Sequence, residues 1–225
     1  MTLLREIQLL LERTYGTTGV NFEEFLLSPA RSRALSEMAG TSAAEISDLG
    51  RVFLRVVDGK LRLGIYYDAS VVEALEQNDP ARGLNDDNIL PFMVFLEELD
   101  HAVHASLKFR EGVRDIYGEM FVRDLELQAK VDTYLILQKY CAFFNQPQRV
   151  TSADRRWLKA CIFDRDNATF DDPLLAERYR ETNRLARRYV GHLDRLSRNR
   201  RTAEIRRFRK LTYKQKRERV ASKAA

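Results

Sequence analysis

Apolar residues recur at steps of three and four along most of this chain, which is the spacing of amphipathic α-helices. Prolines, glycines and capping residues divide the pattern into separate predicted helices. These cover residues 3–15, 23–25, 29–38, 41–45, 70–77, 90–109, 113–144, 152–162, 173–196 and a last segment that follows a break at 197–201. A polar loop is predicted at residues 164–172.

The period changes from three or four to two between residues 52 and 67. Side chains alternate in character along 52–57 and again along 60–67, as they do in strands with two different faces. Asp58 and Gly59 lie between these runs, and Asp-Gly strongly indicates a two-residue hairpin turn. Because a lone hairpin is marginally stable in water, this one is expected to pack on helices. The pattern predicts a mostly α-helical fold with a small β-hairpin at about residues 51–67.

The stretch Leu90–Phe109 gathers more potential ligands and proton carriers than any other part of the chain. Its candidate groups are Glu97, Glu98, Asp100, His101 and His104. Most of them lie opposite an apolar stripe, and such a face is normally solvated. The first turns, however, are apolar on every side, which places the following acids and histidines at the mouth of a buried region. Both interpretations follow from the pattern.

The next long helix, predicted at 113–144 with an interruption at Gly118, is apolar over most of its circumference. That pattern is typical of a helix at the centre of its domain. Glu126 lies among the apolar positions and is expected to be at least half buried. The short turn between the two long helices predicts antiparallel neighbours, with Glu126 close to the level of Glu97. Two such acids need a metal, a proton or an arginine between them.

Residues 97–101, Glu-Glu-Leu-Asp-His, resemble the HExxH signature of zinc metallopeptidases with glutamate in place of the first histidine. In that signature the outer residues bind zinc from one helical face, and the inner glutamate is the general base. The resemblance implies that Glu97, His101 and a downstream Glu126 bind the metal and that Glu98 is the base. Two carboxylates and one imidazole also suit iron or manganese.

The same segment contains Glu98-x-x-His101, the ExxH unit of carboxylate-bridged di-iron bundles. Those sites need a second ExxH unit, which the remaining histidines, His104 and His192, do not supply. The sequence contains no P-loop, GxGxxG motif or Ser-His-Asp elbow. The cofactor prediction is therefore none, with one divalent metal (zinc, iron or manganese) as the alternative.

Charge is divided unevenly along the chain. Residues 195–225 hold thirteen Lys or Arg against two acids, a balance of +11. Because the net charge of the whole chain is +5, residues 1–194 have a balance of −6. This division predicts a mostly helical body at 1–194 and a basic helical C-terminal extension at 195–225. Basic residues with interspersed rings, Tyr189, Phe208 and Tyr213, favour an anionic partner, either nucleic acid or an acidic protein. The alternatives are a solvated tail and a helix whose cations fold back onto the acidic body. The predicted contacts are Arg198, Arg200, Arg201, Arg206, Arg207, Arg209, Lys210, Lys214, Lys216 and Arg217.

Composition sets the remaining limits. The chain is 44% hydrophobic and 32% charged, an ordinary mix for a globular protein. Cys141 and Cys161 form no CxxC pair, which fits a reducing cytoplasm. No apolar run approaches the roughly 18 residues of a membrane span. The leading hypothesis is a cytoplasmic, non-enzymatic accessory protein that binds nucleic acid or an acidic protein through its basic C-terminus, and the alternative is a metal-dependent hydrolase.

Overall fold

The elements of the fold follow the predicted pattern of helices with one hairpin. The structure is a computed structural model that describes residues 1–39, 49–164 and 173–223. Its helices are α1 (Leu3–Tyr15), α2 (Pro29–Ala39), α3 (Ala69–Gln77), α4 (Ile89–Arg110), α5 (Glu119–Phe144), α6 (Ser152–Lys159), α7 (Pro173–Leu193), α8 (Arg198–Lys210) and α9 (Tyr213–Ser222). The helix predicted at 41–45 and nearly all of the loop predicted at 164–172 lie outside the described residues.

Two strands, β1 (Gly50–Val57) and β2 (Lys60–Tyr67), form the predicted antiparallel hairpin. Asp58 and Gly59 both have positive φ, 50° and 70°, as a tight turn matched to the strand twist requires. The hairpin packs on α4 at its open end. A Cβ at Gly50 would lie 2.9 Å from the Glu98 Cγ, so glycine is needed for this close approach of strand and helix.

The helices α4 and α5 form the centre of the fold. Lys108 pairs with Asp124 and His104 with Asp132, an order that only antiparallel helices allow. The predicted start of α5 at Val113 is wrong, since the helix begins at Glu119. Local hydrogen bonding explains the difference: Asp115 accepts a hydrogen bond from the Gly118 N–H at 3.0 Å and holds the preceding residues in a turn.

This later start changes the register between the helices. Glu126 lies between the two paired aspartates, so it is level with the segment from His104 to Lys108. The prediction that Glu126 is level with Glu97 is therefore wrong, and His101 is the nearer of the two along the helix axis. The charge of His101 accordingly acts on Glu126 more strongly than that of Glu97.

The C-terminal helices pack against the rest of the chain. Ile205, Phe208, Tyr213 and Val220 belong to the same buried cluster as Leu4 of α1. The break predicted at 197–201 falls earlier, between Leu193 and Arg198, because a helical hydrogen-bond pattern resumes at Arg198. Within residues 1–39, 49–164 and 173–223, no helix combines the length and apolar composition needed to cross a membrane.

Candidate functional site

The residues of the HExxH-like segment lie at the partly covered start of a buried region. The side chains of Glu97 and His101 are 25% and 21% exposed. A carboxylate oxygen of Glu98 lies 3.7 Å from His101 Nδ1. Glu126, on the neighbouring helix α5, is 9% exposed. The expectation that Glu126 is at least half buried is confirmed.

Cationic side chains occupy the neighbourhood of these acids. Lys130 Nζ lies 3.9 Å from the Glu97 carboxylate, and Arg178 Nε lies 3.8 Å from the Glu126 carboxylate. Both cations also lie within 6 Å of the Tyr179 ring, at 5.8 and 5.9 Å from its centroid. The acids thus have cations from α5 and α7 beside them, as two partly buried carboxylates require. The assignment of Glu97, His101 and Glu126 as metal ligands, and of Glu98 as base, stays a prediction.

The surroundings of His101 favour its protonated form. Burial by itself would lower the pKa of His101, but interaction with Glu98, followed by the charge of Glu126, raises that pKa to about 9. A metal ligand must offer a neutral nitrogen, so protonation of His101 competes with metal at this position. Burial also raises the pKa of Glu126, against the opposing charge of His101.

Protonation of His101 predicts a pH-dependent stability. A base whose pKa is raised on folding stabilises the folded state fully below the unfolded value of 6.5 and loses that contribution as the pH rises through about 9. We expect the free energy of unfolding to fall by roughly 1–3 kcal/mol across that interval. Urea unfolding at a series of pH values measures this loss.

The matched variant for this measurement is His101→Gln, which keeps a polar side chain and removes the titration. Its free energy of unfolding should change less with pH than that of the wild type over the same interval. Parallel profiles for the two proteins would show that His101 is not the group responsible.

The deepest polar cluster lies further along α4, around His104. His104, Asp100 and Asp132 are 0%, 1% and 3% exposed. His104 Nε2 lies 3.2 Å from an Asp100 oxygen and 3.0 Å from an Asp132 oxygen. Among described residues, these three form a group whose potential ligand atoms all lie within 4.8 Å of one another. The solvated-face interpretation is wrong for His104, because α5 covers it.

Asp132 accepts more hydrogen bonds than Asp100 does. It accepts hydrogen bonds from Tyr15 Oη and, at 2.9 Å, from Gln128 Nε2. Burial raises the pKa of Asp132, but the bonds from His104, Tyr15 and Gln128 outweigh burial and lower it. Burial raises the pKa of Asp100 to about 6. The two acids on one histidine therefore have opposite preferences for a proton.

A second group of buried charges adjoins the first. Asp124 accepts from Lys108 Nζ at 2.5 Å and lies 2.8 Å from Lys216 Nζ. Lys216 also donates to Gln128 Oε1 at 2.7 Å, which links this group to Asp132. Burial alone would raise the pKa of Asp124, but Lys216 and Lys108 lower it. A lysine of α9 is thus an internal partner of the central helices.

The ten basic residues predicted to bind a partner have different environments. Arg209 is 2% exposed and pairs with Glu111, and Lys216 is fully buried, so neither is presented to a partner. Arg201 is partly covered. Exposed members of the set are Arg198, Arg200, Arg206, Arg207, Lys210, Lys214 and Arg217.

The predicted stacking rings are not available to bases. Tyr189 and Phe208 are both 0% exposed and stack on each other with centroids 3.8 Å apart. Tyr213 is 2% exposed. The rings of this basic sequence form core contacts, so its exposed cations have none of these three rings beside them at the surface.

The basic surface extends beyond the predicted segment onto α7. Among described residues 173–223, twelve Lys or Arg are exposed against two exposed acids, Glu177 and Glu218. Besides the seven exposed members of the predicted set, the twelve include Arg180, Arg184, Arg187, Arg188 and Arg195. An open groove between α7 and α9 is lined by Glu177, Arg180, Glu181, Arg184 and Arg217. The helical spacing of the α7 arginines is visible in the sequence. The prediction missed them because it placed the start of the basic segment at residue 195.

Comparison with known proteins gives no family for this chain. No family model, no curated protein and no solved structure matches it. The functional argument therefore rests on the arrangement of its own residues.

Proposed function

We propose that this protein binds nucleic acid through the phosphate backbone, using the exposed cations of α7, α8 and α9. The observation that carries the proposal is the twelve-to-two excess of exposed cations over exposed acids among described residues 173–223. Such a surface neutralises phosphates and releases their counterions, which supplies affinity without reading bases.

The composition of the surface suits the binding of phosphate. Ten of the twelve exposed cations are arginines. The planar guanidinium forms paired hydrogen bonds with phosphate oxygens, whereas lysine acts as a point charge. Because the nearby rings are buried, base stacking contributes nothing, and duplex and single strand are bound by the same backbone contacts.

Four arginines form the densest part of this surface. Arg180, Arg184, Arg187 and Arg188 recur at helical spacing along α7 and span about 12 Å of its axis. Like charges three or four residues apart destabilise a helix by a few tenths of a kcal/mol per pair. A bound polyanion relieves that repulsion, which couples binding to helix stability. Arg187 also pairs with Asp164, so the other three are the freer contacts to test.

The first test is the salt dependence of binding to a labelled DNA duplex. If four to six cations meet phosphates, log affinity should fall against log salt with a slope of about −4 to −5. Replacing Arg180, Arg184 and Arg188 with glutamine should reduce the slope by about 3 and weaken binding on the order of 10²-fold or more at moderate salt.

The matched control removes three exposed cations from the hairpin instead. Arg55, Lys60 and Arg62 become glutamine, which changes the net charge by the same amount on a different surface. This variant should keep the wild-type slope. Equal losses in both variants, or a wild-type slope near zero, would overturn the proposal. Salt-sensitive binding to polyglutamate but not to the duplex would point to an acidic protein partner.

A further inference from the structure

We infer that Asp100, His104 and Asp132 form a buried binding site for a divalent metal ion, with zinc the best fit. This site differs in all of its ligands from the one that the HExxH-like segment predicts. It is also separate from the proposed nucleic-acid surface, so either proposal can fail without the other.

The spacing of the three groups fits a tetrahedral ion. Zinc bonds to imidazole nitrogen and carboxylate oxygen are about 2.0–2.2 Å long, so adjacent ligand atoms around a tetrahedral zinc lie about 3.3 Å apart. The observed separations from His104 Nε2 are 3.2 Å to Asp100 and 3.0 Å to Asp132. All three ligand atoms lie within 4.8 Å of one another, so the group is compact enough to surround one ion.

The hydrogen bonding of Asp100 is the independent observation. Neither of its oxygens accepts a hydrogen bond within the described part of the chain, although the residue is 1% exposed. Buried carboxylates normally accept hydrogen bonds, and one that accepts none destabilises the folded state. The facing nitrogen of His104 already meets Asp132, and one nitrogen carries at most one proton. A cation among the three groups would supply the bond that Asp100 lacks.

Neighbouring hydrogen bonds hold Asp132 in place for this role. Tyr15 and Gln128 both donate to Asp132, and Gln128 is in turn fixed by Lys216. Outer hydrogen bonds of this kind orient carboxylate ligands and tune the metal. The three ligands come from α4 and α5, so the ion would lock the central helix pair. Because all three groups are buried, the bound ion would have a structural role.

The balance of buried charge identifies the competing occupant. The network contains three aspartates, Asp100, Asp124 and Asp132, and two lysines, Lys108 and Lys216, both of which pair with Asp124. One negative charge is therefore unmatched among these described groups. A single proton on the Asp100–His104 pair neutralises that charge without any metal. The experiment must therefore separate a metal from a proton.

The test uses the full chain, unfolded with chelator and refolded with or without zinc, because a buried site has no direct path from solvent. After unbound metal is removed, elemental analysis should find about one zinc per chain. The zinc-refolded protein should also have a higher melting temperature than the chelator-refolded protein, since an ion that binds only the folded state stabilises it. Refolding with cobalt should give the visible absorption of a tetrahedral site.

Variants locate the ion. Asp100→Asn and His104→Gln should lose the bound metal and the zinc-dependent rise in melting temperature, while His101→Gln and Glu98→Gln should keep both. If a variant fails to fold, the zinc-dependent melting temperature and the cobalt spectrum of the wild type still decide whether the protein binds a metal ion. Absence of bound metal after refolding with zinc, cobalt and manganese would overturn the inference in favour of a proton. Loss of metal in His101→Gln with retention in Asp100→Asn would overturn it in favour of the HExxH-like segment.

Discussion

A chain that ends at residue 200 is expected to lose cooperative folding at room temperature. The deletion removes α8 and α9, which bury Ile205, Phe208, Tyr213 and Val220 in the main hydrophobic cluster. Burial of each such side chain contributes about 1.5–3 kcal/mol, so the four together contribute about 6–12 kcal/mol. That is comparable to the whole stability of an ordinary domain, about 5–15 kcal/mol.

Circular dichroism and urea titration of the shortened chain measure the effect. The matched control ends at residue 220 and keeps all four buried side chains. Of the residues that it removes, Ala221 and Ser222 are exposed and Lys223 is partly exposed. That control should unfold cooperatively with a midpoint close to that of the full chain. A sharp, native-like transition in the chain ending at 200 would instead support the predicted division into a body at 1–194 and a separate extension at 195–225.

Replacing Asp124 with asparagine is expected to lower the free energy of unfolding by roughly 3–5 kcal/mol. The variant keeps the shape of the side chain but leaves Lys108 and Lys216 buried without their shared counter-charge. Lys216 is 0% exposed, so water cannot replace the lost partner. Breaking one side of a buried ion pair is far more costly than the net value of the pair, because the remaining charge stays desolvated.

The control is Glu119→Gln, on the same helix. Glu119 also meets two cations, Arg123 and Arg178, but its side chain is 51% exposed. Surface ion pairs are worth about 0–1 kcal/mol, so this variant should lose little. A triple apolar variant, Lys108→Met, Asp124→Leu and Lys216→Met, should regain much of the stability lost in Asp124→Asn, because none of these three positions then buries an unpaired charge. Equal effects of the Asp124 and Glu119 variants would contradict the buried-charge explanation.

Local patterns in the sequence determined the fold class. Helical periodicity and the Asp58–Gly59 turn depend on residues a few positions apart, and both predictions are confirmed. The burial of Glu126 was also predictable, because apolar neighbours on every side of a helix leave a carboxylate little solvent. The start of α5 was missed because the hydrogen bond from Gly118 to Asp115 competes with a helix that the apolar pattern alone would extend.

The basic C-terminus shows where charge counting misleads. Its excess of cations predicted an extension directed at a partner, and its exposed residues still support that proposal. Arg209 and Lys216, however, are buried and pair with Glu111 and Asp124, acids that lie 98 and 92 residues earlier in the chain. Sequence gives the number of charges, but their neutralisation depends on which helices meet.

The candidate metal centre was decided by tertiary structure for the same reason. The sequence gathered Asp100, His101 and His104 on one helix and determined which face each occupies. It did not determine that α5 covers the His104 side, since both faces of α4 carry enough apolar surface to be buried. Helix periodicity fixes the angle of a side chain about its own axis, whereas pairing requires the rotation and register of a second helix. Those are set by packing of the whole core, and they place Asp132 beside His104.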